Sequence, residues 1–251
     1  MINNHTSSFG SFIAKTGFLN EKEVAQKFND YLNDKDSQKW LMIMGYNLNK
    51  IKHVKASVLS GYKADVNVII QTKMKQTLDS ENLQVKLVSN SKGFNQIDKR
   101  KLKSYQEMWN IPYNIYQLFA YFTGELKPIR QDIKYPNKRM LVHEFTNKEQ
   151  QELLAWLNDN KMLIVSDILK GRGEFSAEWV LVIQKINLNM KWALKNINEI
   201  IQHYFDDGIV EISKKGSLKI GRITIQRKGG DNGRESANML QFKIDPTGLL
   251  N

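Results

Sequence analysis

Three residues, Asp65, Gln84 and Lys86, have the types and spacing that metal-dependent phosphodiester hydrolysis needs. Asp65, Asn67 and Ile69 alternate with Val66, Val68 and Ile70, a pattern that predicts a strand rich in β-branched residues. A polar turn at Asp79–Asn82 is expected next, then a second strand, Leu83–Ser89. There Leu83, Val85 and Leu87 share one face and Gln84 and Lys86 the other. A carboxylate on one strand, with a side-chain oxygen and a lysine two residues apart on its neighbour, offers Mg²⁺ hard oxygen ligands. The lysine can orient or activate an attacking water and offset charge at phosphorus. The short motif is not specific. Gln-x-Lys recurs at Gln71–Lys73, Gln226–Lys228 and Gln241–Lys243, and its acidic form at Glu125–Lys127, Asp132–Lys134 and Asp159–Lys161. Position separates them, because the acidic triplets fall in loops or at a helix end, where the backbone does not hold a metal geometry. A solvated hairpin face is the plain alternative reading of Gln84 and Lys86.

Charge supplies a second line of argument. The 251 residues carry 37 Lys and Arg against 26 Asp and Glu, a net of +11, which points to a polyanionic partner. Residues 86–103 hold six basic side chains and one acid, and residues 214–234 hold seven and one. The rest of the chain is left with 24 of each sign. In the first segment Lys92, Phe94, Asn95, Gln96 and Lys99 combine cations, amides and an aromatic beside Gly93. In the second, Gln226, Arg227, Lys228, Asp231, Asn232 and Arg234 stand around three glycines. Amides pair with adenine edges, Lys and Arg with guanine, Asp with cytosine, and a loop phenylalanine can wedge between base steps. The bland counterpart is a core Phe94 and a solvated or phosphate-contacting set of lysines.

Other chemistries find less support. With no cysteine there is no thiolate catalysis, disulfide framework or cysteine-bound metal, which fits a reducing, cytoplasmic setting. No apolar run approaches a membrane span, and Met1–Gly17 lacks signal-peptide order. His5, His53, His143 and His203 are scattered, no Gly-x-Ser-x-Gly elbow or Walker loop exists, and Gly171-Arg172-Gly173 is too short for a dinucleotide fingerprint.

The elements expected to position these residues are mixed. Asn20–Leu32 reads as a helix capped by Asn20, Gln38–Leu59 as mostly helical, Ser91–Arg100 as a polar loop, and Lys101–Trp109 as a helix leading into an aromatic stretch near Tyr113–Phe122. Thr146 and Glu149 form a capping-box signature ahead of a helix through Leu157. Lys161–Ile168 and Ala177–Ile186 read as strands, Met190–Tyr204 as a helix. The end is β: Ile209–Ser213, a strand through Ile223 and Ile225, and Asn238–Ile244. With no repeat or clear linker, 1–251 reads as one mixed α/β (α+β) domain with basic loops near 91–104 and 214–236.

Asp65, then eighteen residues, then Gln84-Val85-Lys86, continuing through Lys92-Gly-Phe-Asn-Gln-Ile-Asp-Lys99 and Tyr105-Gln-Glu-Met-Trp109, resembles the HinP-type, GCGC-cutting type II restriction endonucleases of the PD-(D/E)XK superfamily. The likeness continues through Phe122-Thr-Gly-Glu-Leu126, Asp167–Gly173, Arg222–Arg234 and Ala237–Lys243, in order along nearly the whole chain. It implies a mixed sheet flanked by helices, Mg²⁺-dependent hydrolysis leaving 5′-phosphate and 3′-hydroxyl ends, and a four-base palindromic site. By the resemblance Asp65, Gln84 and the Val85 carbonyl hold the metal and Lys86 serves the water. Phe94, Asn95, Gln96 and Lys99 match the family's DNA-distorting and recognition segment, and Gln226 to Arg234 its second DNA-facing loop. Ala64 departs from the family's serine at that position. The implied partners are double-stranded DNA and, functionally, a cognate DNA methyltransferase, with the enzyme a monomer or homodimer. A non-catalytic nucleic-acid-binding protein is the competing reading, since it too would use the basic loops, though it has no need of Asp65. An enzyme acting on another phosphorylated substrate stays open on the motif alone.

Overall fold

The computed structural model describes residues 4–73, 78–91, 93–187, 189–230 and 234–250, with side chains described from residue 15 onward. In chain order the elements are α1 (Asn4–Asn29), α2 (Lys35–Ile43), β1 (Ile51–Val58), β2 (Val66–Thr72), β3 (Leu78–Val88), β4 (Asn95–Arg100), α3 (Leu102–Trp109), α4 (Tyr113–Thr123), α5 (Asn147–Leu169), β5 (Trp179–Ile186), β6 (Asn189–Asn196), α6 (Ile197–Phe205), β7 (Val210–Ile212), β8 (Leu218–Ile220), β9 (Ile223–Arg227) and β10 (Leu240–Ile244). They fall into two compact units, one of residues 8–93, 170–200 and 246–251, the other of residues 1–7, 94–169 and 201–245. No helix among the described residues is long and apolar enough to cross a membrane.

The first unit is built on a sheet of order β1-β2-β3-β5-β6, antiparallel except for the parallel pair β3–β5. Alternation decides its faces. Val66, Val68 and Ile70 of β2, Leu83 and Val85 of β3, and Leu181 and Ile183 of β5 pack in one core with Val24, Ala25 and Phe28 of α1 and Trp40 and Leu41 of α2. Gln84 and Lys86 therefore point to the opposite face of β3. The second unit holds the sheet β4-β10-β9-β8-β7, antiparallel throughout, with α3, α4 and α5. Tyr105 stacks on Trp109 at 4.6 Å, both rings meet Phe242 edge-on, and Trp109 Nε1 donates to the buried Asp167 carboxylate at 3.0 Å.

Several sequence expectations are corrected. Asn20 is not a cap; it lies inside α1, which begins well before it. The segment to Leu59 is not mainly helical: α2 ends at Ile43, Gly45 takes φ +93°, and residues 51–58 pair with β2. Asp79–Asn82 do not form the expected turn, because they belong to β3, and Ser80, Glu81 and Asn82 find polar partners across the sheet. Asn67 Nδ2 donates to Ser80 Oγ and Asn82 Oδ1, while Glu81 accepts from Tyr46 and from Trp179. Lys161–Ile168 continues α5, since Leu153, Leu157, Ile164, Val165 and Ile168 form one buried helical stripe. Residues 189–196 form β6 against β5 before α6 begins. The capping box at Thr146 and Glu149 is present, with the Glu149 carboxylate accepting from Thr146 N at 2.7 Å.

Candidate active site

β2 and β3 remain paired up to Asp65, whose amide donates to the Leu83 carbonyl at 2.8 Å, and then part. The next amide, that of Ala64, turns away to the Phe175 carbonyl. The Asp65 carboxylate enters the opening gap, where Oδ2 accepts from Val85 N at 2.7 Å and stands 4.0 Å from Lys86 Nζ. A strand residue's N–H and C=O point to the same side, so the Val85 carbonyl also faces this gap. Gln84 is only 3% exposed; its Nε2 makes a long 3.4 Å contact to the Lys63 carbonyl, and its Oε1 is buried without a hydrogen-bond partner. A buried amide oxygen left unpaired costs about 1–3 kcal/mol unless something meets it. A carboxylate, a carbonyl and an unmet amide oxygen around one gap form a hard-oxygen set of the kind Mg²⁺ takes, and the residues present fit a divalent cation. The three residues singled out at Asp65, Gln84 and Lys86 are thus brought together. Ala64, which precedes Asp65, is buried.

The loop ahead of Asp65 is braced. Leu59 N donates to the Asp65 carbonyl at 2.9 Å, Tyr62 packs on Phe175 with ring centroids 4.6 Å apart, and Gly171 adopts φ +78° so close to Lys63 that a Cβ would lie 2.6 Å from the lysine's own.

One acidic residue near this gap escaped the sequence reading. Glu21 of α1 is half-buried, and burial first, then the Asp65 carboxylate, push its carboxyl up to about 7, with Lys86 opposing them. The signal existed only as a charged residue beside the apolar stripe of a helix, which by itself reads as a solvated side chain.

Of the DNA-facing residues proposed from sequence, those described lie in the second unit. Phe94 is 66% exposed and so is not a core residue. Asn95, Gln96 and Lys99 stand on β4, an edge strand paired with β10, rather than in a loop, because Phe242 and its neighbours extend the sheet to them. Gln226 faces Gln241 across β9 and β10, Lys228 follows β9 with its amide on the Met239 carbonyl, and Arg234 is exposed. Arg227 is held inward: its Nε donates to the Thr123 carbonyl at 2.7 Å and its Nη2 to Asn238 Oδ1 at 2.8 Å. Lys92, Asp231 and Asn232 lie outside the described residues.

Comparison with known proteins decides the class of this site. The family described as R.HinP1I restriction endonuclease matches residues 44–250. The chain belongs to the R.HinP1I restriction endonuclease family. Members of this family are type II site-specific deoxyribonucleases, and this chain is one: a sequence-specific nuclease of double-stranded DNA, in a class of enzymes that generally need divalent metal ions. Among solved structures, restriction endonuclease MspI in complex with its cognate DNA aligns with a TM-score of 0.66 at 16% identity, over 95% of this chain and 92% of that one, and so shares the fold. No curated protein matches the chain. Within the R.HinP1I family match lie Asp65, Gln84, Lys86 and both basic segments; Glu21 lies before it.

Proposed function

We propose that this endonuclease uses Mg²⁺ to hydrolyse DNA at a four-base palindrome, GCGC, leaving 5′-phosphate and 3′-hydroxyl ends. The observation that carries the catalytic part is the gap between β2 and β3, where the Asp65 carboxylate, the unmet Gln84 oxygen and the Val85 carbonyl converge beside Lys86. Bound there, Mg²⁺ supplies Lewis-acid polarisation of a phosphate oxygen and a lowered pKa for a bound water. Asp65 and Gln84 fix that position, and the Val85 amide keeps the carboxylate turned into the gap. Lys86, still partly open to solvent, holds the attacking water in line with the scissile bond and offsets charge building on phosphorus. A neutral amide in place of a second acid lowers the negative charge of the site, so affinity for the cation rises when a DNA phosphate joins it.

The GCGC site comes from the family likeness. It is supported by the cations Lys99, Lys228 and Arg234, which suit guanine edges in the major groove, and by the exposed Phe94, which suits a wedge between base steps. In the cytoplasm such an enzyme requires a cognate methyltransferase to protect host DNA. A palindrome is served by a homodimer or by a monomer that cuts the strands in turn.

Digestion of a sequenced, unmethylated plasmid with purified protein and Mg²⁺, followed by mapping of fragment ends, tests activity, site and stagger together. Discrete fragments ending at GCGC are expected. Tight binding without cutting would instead identify a DNA-binding protein that has lost hydrolysis.

A further inference from the structure

Arg139 lies outside both basic segments, yet the fold sets it at the root of the second one. Helix α4 ends at Thr123, and Gly124 after it takes φ +87°. A Cβ on that glycine would lie 2.6 Å from the Lys138 carbonyl, 3.5 Å from Arg139 Cβ and 3.5 Å from Asn238 Oδ1. Asn238 Oδ1 accepts from Arg227 Nη2, and the Thr123 carbonyl accepts from Arg227 Nε. Arg139 therefore stands beside the place where the chain leaves β9 at Arg227 and returns toward β10 through Asn238.

Its guanidinium is held in place but has no acceptor. Cζ lies 5.9 Å from the Phe122 ring centroid and 5.5 Å from that of Tyr135, so cation–π contact keeps the fork against two rings. The side chain is half-buried, and among the described residues it makes no hydrogen bond or ion pair. The acid whose charge it feels, Glu144, is already engaged: Oε1 accepts from Lys134 N at 2.7 Å and Oε2 from Leu141 N at 2.6 Å. Arg130, by contrast, donates to the Glu144 carbonyl and to the Glu149 carboxylate. Burial holds Arg139 below the ordinary arginine pKa, and burial and then the Arg139 charge do the same to Arg227. A desolvated guanidinium without an acceptor is costly, and a second cation beside it adds to that cost. An anion that accepts from the open fork relieves both.

We propose that Arg139 is a DNA-backbone contact, its planar fork taking the oxygens of one phosphodiester as the duplex meets the basic segment that follows β9. The inference needs only duplex binding, and neither the GCGC site nor the metal. A phosphate fits this place better than a base edge, because a neutral base would leave the two cations uncompensated. Arg227 keeps its bonds to Thr123 and Asn238 and adds only its field.

The test is cation-free binding of two duplexes, one with GCGC and one without, over a range of KCl, together with melting of the free protein. Native protein, Arg139→Met and Arg139→Lys are compared. Methionine keeps apolar contact with Phe122 and Tyr135, so the free Tm of Arg139→Met should stay at or above native. Its Kd should rise about tenfold, and its slope of log K on log salt should fall by about 1, on both duplexes alike. Arg139→Lys keeps the charge without the fork, so its slope should be native and its Kd should lie between the other two. A native slope in Arg139→Met overturns the proposal whatever its Tm, and so does a change confined to the GCGC duplex, which marks a base contact. Should Arg139→Met lose Tm and slope together, Arg139→Lys decides. A native slope there supports the phosphate contact even at a lowered Tm; a slope as shallow as that of Arg139→Met marks the arginine as structural and sinks the proposal.

Discussion

At the scale of single residues, the gap between β2 and β3 assigns different consequences to each side chain. Removing the Lys86 ammonium leaves the Asp65–Val85 bond in place. Lys86→Ala should therefore lower the cleavage rate by about 10²–10⁴-fold, the range for loss of a positioned proton-handling group, while filter binding of a GCGC duplex stays near native. Loss of binding in that variant would mark the lysine as structural. Gln84 behaves differently, because its buried oxygen is unsatisfied in the cation-free protein. Gln84→Met keeps the volume and removes the unmet acceptor, so its stability in urea without cations should lie within about 1 kcal/mol of native while cleavage is lost. For Glu21 the folded carboxyl titrates near 7, above its unfolded value of 4.5. The folded state then binds a proton that the unfolded chain has released, so stability falls as pH rises from 4.5 to 7 and is flat beyond. Glu21→Gln should remove that contribution to the slope in cation-free urea titrations across this range. Asp65, Gln84 and Lys86 were legible because strand alternation has a fixed period and the three lie on consecutive strands. Glu21 was not, because only the tertiary path of α1 brings it there.

At the scale of elements, local signals are legible where they are self-contained and mislead where a partner strand decides. The Thr146–Glu149 capping box needs nothing beyond its own turn. By contrast β1, β6 and the first half of β3 exist because of their ladders, and their polar or mixed composition hides that. From sequence the C-terminal half of α5 reads as a strand, because its β-branched run outweighs the helical stripe continuing from Leu153. The loops that set the metal gap give an element-scale prediction. Gly171 and Gly173 both have positive φ, but only Gly171 would drive a Cβ into Lys63, two residues from Asp65; Gly173 has open space. Each alanine substitution should cost about 1–2 kcal/mol for the left-handed backbone. Gly171→Ala should also displace the 60–64 loop and reduce kcat well below that of Gly173→Ala. Equal kcat values in the two variants would show that the loop contact does not position Asp65.

At the scale of the whole molecule, the surplus of +11 is concentrated in two short segments, and the structure divides their cations by what they already hold. Arg227 is committed to the Thr123 carbonyl and Asn238, so it builds the turn after β9 and is not free to reach a phosphate or base without breaking those bonds. Arg234 is exposed, and Lys228 follows the strand end. Each cation that neutralises a phosphate releases counterions, steepening the dependence of log K on log salt by about 0.9 per contact. Arg234→Gln and Lys228→Gln should each reduce the slope by about 1, on GCGC and unrelated duplexes alike, if they contact phosphates. A side chain that reads a base instead keeps the slope and loses about 1–3 kcal/mol of discrimination at one position. Arg227→Ala should do neither first. Its main effect should be a lower Tm, since the carbonyl of the buried Thr123 and the half-buried Asn238 amide oxygen lose their donor, and weakened binding should follow only as the turn loosens. A salt slope reduced by about 1 in Arg227→Ala at unchanged Tm would show that this arginine leaves its internal partners for the DNA, so that the turn after β9 is rebuilt on binding.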